Sequence, residues 1–104
     1  MKFRKKPVVI EAIQYLGLLN IFEVVTFIEG KKPNLSAGHA FEYWDTFCQD
    51  CFKNGLPIRT LEDGPLLQAK HIATLGDWII KGIAGEFYPC KPAFFAATYD
   101  VVEE

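Results

Sequence analysis

Two spacings of hydrophobic residues divide the chain. Residues 7–15, PVVIEAIQY, are rich in β-branched side chains and carry one charge, Glu11. That pattern predicts a strand buried on much of both faces, with Pro7 at its start, where a missing N–H does least harm. From Asn20 the spacing becomes helical: Ile21, Val24, Val25 and Ile28 fall at i, i+3, i+4 and i+7. Asn20 reads as an N-cap with Glu23 three residues on, as in a capping box, and Gly30 suits the left-handed position past the end. After the loop KKPNLSAG, residues 39–55 predict a second amphipathic helix, ending at Asn54-Gly55. Its apolar stripe reads Phe41, Trp44, Cys48, Cys51 and Phe52, with Glu42, Asp45, Gln49, Asp50 and Lys53 mostly elsewhere.

From Leu56 the pattern changes to short extended runs separated by turn residues. Strands are predicted in LPIRTLE (56–62), LLQAKHIATL (66–75), DWIIKG (77–82) and GEFYPC (85–90), with DGP as a turn. PAFFAA (92–97) predicts one helical turn, and TYDVVEE (98–104) a last strand. Gly76-Asp77 reads as the turn into the DWIIKG strand, along which Trp78 and Ile80 share one face and Ile79 and Lys81 the other. Gly82 and Gly85 bracket Ile83-Ala84 as a tight hairpin that needs positive φ. Strands in runs, with helices set apart from them, predict an α+β domain. The expected architecture is a small, bent, mostly antiparallel sheet of five or six strands with two helices packed on it. The first strand must pair non-locally, because both helices separate it from the others.

A length of 104 residues predicts a single domain, 1–104. Half the residues are apolar and 14% aromatic, enough to fill a core and unlike a disordered chain. The formal charge of −2 gives no global field toward nucleic acid or acidic lipid. The start is basic and then apolar, like a secretory signal, but Glu11 and Gln14 interrupt it and no small-residue cleavage site follows. No apolar run approaches the roughly 18 residues of a membrane span. The expected setting is cytoplasmic, with no membrane contact and with the three cysteines reduced.

Several groups could carry chemistry. Cys48 and Cys51 form a C-x-x-C pair, yet a structural zinc needs four ligands, and Cys90, His39 and His71 form no second close pair. A redox pair would sit at a helix N-terminus, whereas this one lies inside the predicted helix. Packing on the buried stripe is therefore expected, with no metal and no cofactor. His71 alternates with Ala69 and Ala73 on one strand face and reads as structural; as a base it would need an orienting carboxylate or a nucleophile. No G-x-G-x-x-G, phosphate-loop or nucleophile-elbow motif occurs. Lys2, Arg4, Lys5 and Lys6 could make a few phosphate contacts, but a solvated end explains them more simply.

Two stretches together carry a resemblance. The opening MKFRKKPVVIEAIQY and the ending TLGDWIIKGIAGEFYPCKPAFFAATYDVVEE resemble a family of small, uncharacterised bacteriophage and prophage proteins. The matching positions are residues 2–12 (K-[FY]-R-K-K-P-V-V-I-E-A), 59–62 (RTLE), 76–82 (G-D-[WY]-I-I-K-G), 85–92 (G-E-[FY]-Y-P-C-K-P) and 95–99 (F-x-x-T-Y). Residues 31–55 look like an added helical segment. The resemblance implies a phage or prophage protein in the host cytoplasm and implies no reaction.

The leading expectation is a non-enzymatic accessory protein: a small binding or protein-interaction module for a host or phage protein, a small nucleotide-like ligand, or a second copy as a homodimer through an edge strand. Its binding residues would be Asp77, Lys81, Glu86, Tyr88 and Lys91, an exposed rim around an apolar patch holding Trp78. The alternative is a nucleic-acid-associated protein using the basic N-terminus. A third reading, a small nucleotide-acting enzyme, requires two of Asp77, Glu86 and His71 within hydrogen-bonding distance of each other.

Overall fold

The computed structural model describes residues 1–4, 6–36, 38–58 and 71–102. The order is β1 (Glu11–Gln14), a 3-10 turn (Gly17–Leu19), α1 (Ile21–Glu29), α2 (Ala40–Asn54), β2 (Leu56–Ile58), β3 (His71–Ala73), β4 (Trp78–Lys81), β5 (Phe87–Cys90) and α3 (Pro92–Thr98). The α+β class is as expected. The single sheet is not: among the described residues five strands form two antiparallel sheets, β1-β4-β5 and β2-β3. β3 feeds through a turn into β4, but both edges of β4 are already occupied, by β1 and β5. The β2–β3 pair can therefore not join the ladder through β4, and β3 packs beside β5 instead. Parts of the strands expected at 56–62 and 66–75, with the DGP turn between them, lie outside the described residues.

Two further expectations are corrected by their neighbours. The first strand begins at Glu11 rather than Pro7, because Glu11 stands opposite Lys81 and the chain turns away just beyond, at Gly82. Residues 7–10 continue as an arm, on which Val8 and Val9 are exposed. The strand expected at 98–104 does not start among the described residues, since Pro92 at the first helical turn opens a helix that consumes Thr98, and Tyr99 to Val102 carry no regular structure; its last two residues lie outside the described ones. The single helical turn expected at 92–97 is thus the third helix, α3.

The α1 stripe is as the spacing predicts: Ile21 and Val24 are buried, and Val25 and Ile28 pack against the core. Gly30 ends the helix in the left-handed region, its N–H donating to the Thr26 carbonyl at 2.9 Å. The capping box does not form. Asn20 instead reaches back, its Oδ1 accepting from the Leu16 N–H at 2.8 Å and its Nδ2 donating to the Gln14 carbonyl at 2.7 Å. That stitch closes the end of β1 onto the start of α1. On α2 the packed side chains are Trp44, Phe47, Cys48 and Cys51, while Phe41 and Phe52 are exposed. Phe22 of α1 meets Trp44 edge-to-face at 5.8 Å between ring centroids, and Phe47, three residues on from Trp44, packs inward where Phe41 and Phe52 were expected.

The three-stranded sheet has a different cover on each face. Ile79 joins Tyr15, Ile21, Val24, Cys51, Leu56, Ile58 and Ala73 in one buried cluster, with Ile13 and Phe87 against it. Phe27 of α1 meets Phe87 edge-on at 5.5 Å. Alternation sends Trp78 and Ile80 to the opposite face. There the Trp78 ring stacks on Phe95 of α3, at 4.2 Å and 4° between planes. Ile80 is buried but outside the main cluster. Each such fully buried aliphatic side chain contributes about 1.5–3 kcal/mol. Among the described residues no helix is long and apolar enough to cross a membrane.

Candidate functional site

The residues expected at a site separate toward opposite ends of β4. At its start, residues 74–77 form a turn in which the Asp77 N–H donates to the Thr74 carbonyl at 2.9 Å and Gly76 takes φ +92°. A positive φ at the third position is what a type II turn requires of glycine. Asp77 Oδ2 accepts from the Thr74 N–H at 2.9 Å and from its hydroxyl at 3.2 Å. Lys91 Nζ lies 3.1 Å from each carboxylate oxygen and 3.1 Å from Thr74 Oγ1. The Asp77 carbonyl accepts from the Tyr15 N–H, and the Gly76 N–H donates to the Tyr15 carbonyl, both at 2.8 Å. Asp77 is 2% exposed. Its expected place on an exposed rim is therefore corrected: it fastens β1, the turn and the start of α3 together. Trp78, expected as an exposed anchor, is half-buried beneath Phe95.

At the other end of β4 lies a hairpin. The Gly82 N–H donates to the Glu86 carbonyl at 2.7 Å, and the Gly85 N–H donates to the Gly82 carbonyl at 3.1 Å. Gly85 has φ +85°, as a three-residue hairpin loop demands. Gly82, expected to need positive φ, does not have it. What it supplies is room for the Glu86 carboxylate, which folds back over it and which a Cβ there would push aside. Glu86 Oε2 is shut off from solvent with no hydrogen-bond partner among the described residues.

Beside Glu86 opens a cleft of about 500 Å³. Val8 and Ile10 of the arm form one wall and Ile83 of the hairpin tip another; Tyr88 and Tyr99 complete it. Burial, and then a side-chain hydrogen bond with Tyr99, push the Tyr88 hydroxyl up to about 12. It therefore stays protonated, and able to donate, across the physiological range. Lys81 is exposed and lines a smaller hollow of about 290 Å³ shared with Val9 and Glu11.

Of the expected set, the structure joins Asp77 with Lys91, and Glu86 with Tyr88. Sequence reasoning missed the arm as a wall and Tyr99 as a partner of Tyr88. The apolar run at 7–10, too long for the strand it meets, was the available signal for the arm. The pairing required for a nucleotide-acting enzyme is not formed: Asp77 bonds Thr74 and Lys91, and neither His71 nor Glu86 bonds another member of the trio. His71 is exposed. Cys51 sits in the core, where burial first, then the charges of Cys48 and Asp50, push its thiol up to about 11. Cys48 is raised by burial and by Asp45. Both stay protonated and apolar at neutral pH, as their packing role requires. Among the described residues no group of three His, Cys, Asp or Glu side chains is placed to hold a metal. The chain matches no family model, no curated protein and no solved structure.

Proposed function

We propose that the protein is a non-enzymatic binding module of a phage or prophage, acting in the host cytoplasm, whose site is the cleft between the arm, the β4–β5 hairpin and the end of α3. The ligand is a small molecule or a short segment of a host or phage protein. One observation carries this reading: Glu86 holds a shielded, unpartnered carboxylate oxygen at a cleft with apolar walls. Buried acceptors are normally satisfied, so an unsatisfied one on a side chain that lines a cleft gains a donor when that side chain turns toward a ligand. The volume lies within the roughly 300–1,000 Å³ of small-ligand sites, which combine apolar walls with a few placed polar groups. The Asp77 fastening keeps the opposite end of β4 rigid, so the cleft sits on a fixed scaffold. A small-fragment screen followed by amide NMR tests it. Binders should shift the amides of residues 82–88 and Tyr99; a diverse set that leaves those amides unmoved would sink the proposal.

A second reading rests on the arm itself. Lys2, Arg4 and Lys6 are exposed and flank Phe3, which is 87% exposed. Basic residues around an exposed ring suit a single-stranded nucleic acid, held by phosphate contacts and base stacking. Binding to an oligonucleotide should fall steeply with added salt. No binding at low salt removes this reading and leaves the first untouched.

A further inference from the structure

We propose that the cleft selects an organic cation: an ammonium or guanidinium group on an aliphatic stem, its charge on Glu86 and its stem between Val8, Ile10 and Ile83. This rests on the binding-module reading above and names its ligand class.

The shielded Oε2 accepts hydrogen bonds and donates none in its ionised form, so its complement is an N–H donor. A charged donor makes the stronger bond, roughly twice a neutral one. The same site resists an anion, whose charge would face the carboxylate. Two aromatic side chains, Tyr88 and Tyr99, line the cleft with Glu86. Tyrosine faces attract cations, by about 0.5–1 kcal/mol at exposed sites and more when desolvated. Pro7, Val8, Ile10 and Ile83 add apolar wall that suits a methylene stem, with Lys6 and Thr98 as the other polar groups. Gly82 keeps the arrangement possible, because any side chain there would displace the carboxylate. The chain's own candidate cation, Lys6, lines the same cleft, yet it is exposed and forms no ion pair with Glu86. Among the described residues no cation is paired with Glu86, so a cation from outside meets the carboxylate once that side chain, which lines the cleft, turns toward it. The Asp77 end shows what a satisfied carboxylate looks like in this fold: it already holds a lysine ammonium.

The test is an amide NMR titration of the full chain with probes matched in length and differing in charge: agmatine, 1-pentanol and pentanoate. Agmatine should shift residues 82–88 and Tyr99, and bind at least tenfold more tightly than either of the others. Glu86→Gln, which keeps the shape and removes the charge, should weaken agmatine at least tenfold. The probe comparison on the unaltered chain stands even where that variant fails to fold. A short capped peptide with a central arginine, run beside agmatine, distinguishes a free metabolite from a partner's side chain, and tight binding of either supports the class. Equal or tighter binding of pentanol or pentanoate at those residues overturns the cation while leaving a binding module. Unchanged agmatine affinity in Glu86→Gln overturns it too. So does agmatine binding that appears only after Lys6→Ala, since the arm's own ammonium would then fill the place. Silence from all probes and from the fragment screen sinks the binding module with it.

Discussion

Asp77 at one end of β4 is buried whole, Glu86 at the other is half-buried with one oxygen shielded, and the fold treats the two carboxylates in opposite ways. Asp77 receives hydrogen bonds from the Thr74 N–H, the Thr74 hydroxyl and the Lys91 ammonium. Glu86 presents one shielded oxygen with no partner among the described residues. Burial alone therefore does not tell what an acidic residue is for. A carboxylate saturated by its own chain is part of the fold's framework. One left unsaturated beside a cavity is a stability burden unless a ligand relieves it.

The contrast can be broken or sharpened by mutation. The largest effect should come from Asp77→Ala, which strands the Thr74 donors and releases Lys91. Loss of about 2–4 kcal/mol is expected by urea denaturation, and a loss under 1 kcal/mol would deny Asp77 its framework role. Gly82→Ala should cost only about 0.5–1 kcal/mol, because what it meets is the free end of the Glu86 side chain, which can swing aside. Adding Glu86→Ala should recover most of that loss, and strict additivity would show that the two do not touch. Lys91→Met should lose only about 0.5–1 kcal/mol, because its side chain is 61% exposed and water replaces much of the contact. Glu86→Gln should leave stability unchanged or raise it by up to about 1 kcal/mol, as it removes a charge that nothing in the fold rewards. A large loss there would make the two ends alike.

The smallest signal is spectroscopic. The Tyr88 hydroxyl is raised from 10.0 to about 12, so the folded chain holds that proton more tightly than the unfolded chain does. The stability it contributes is complete below pH 10 and drains away as pH rises from 10 toward 12. An absorbance titration should show a late-ionising phase that shrinks in Tyr88→Phe and does not vanish, because burial also raises Tyr15.

Local elements were legible because their causes are local. The α1 stripe, the Gly30 stop, the β4–β5 hairpin and the face alternation of Trp78 and Ile79 all follow from spacing and turn chemistry. Contacts between elements were not. Which of Phe47 and Phe52 faced inward depended on what α2 packs against, which spacing alone does not give. The division into two sheets depended on both edges of β4 being taken. At the site, sequence marked Glu86 and Tyr88 and equally marked Asp77 and Lys91. Only the distances between side chains separate the satisfied pair from the open one.

The pairing of Glu11 with Lys81 has a consequence for the order of events in synthesis. The first strand leaves the ribosome long before its partner is translated, at rates of about 5–20 residues per second. Helical turns form in microseconds or less, yet the nine-residue α1 is marginal without its packing partners, so for seconds the apolar ribbon VVIEAI has nothing to hydrogen-bond and little to pack on. That interval is when the nascent chain is most exposed to chaperones and to its own neighbours. It closes only when β4 emerges.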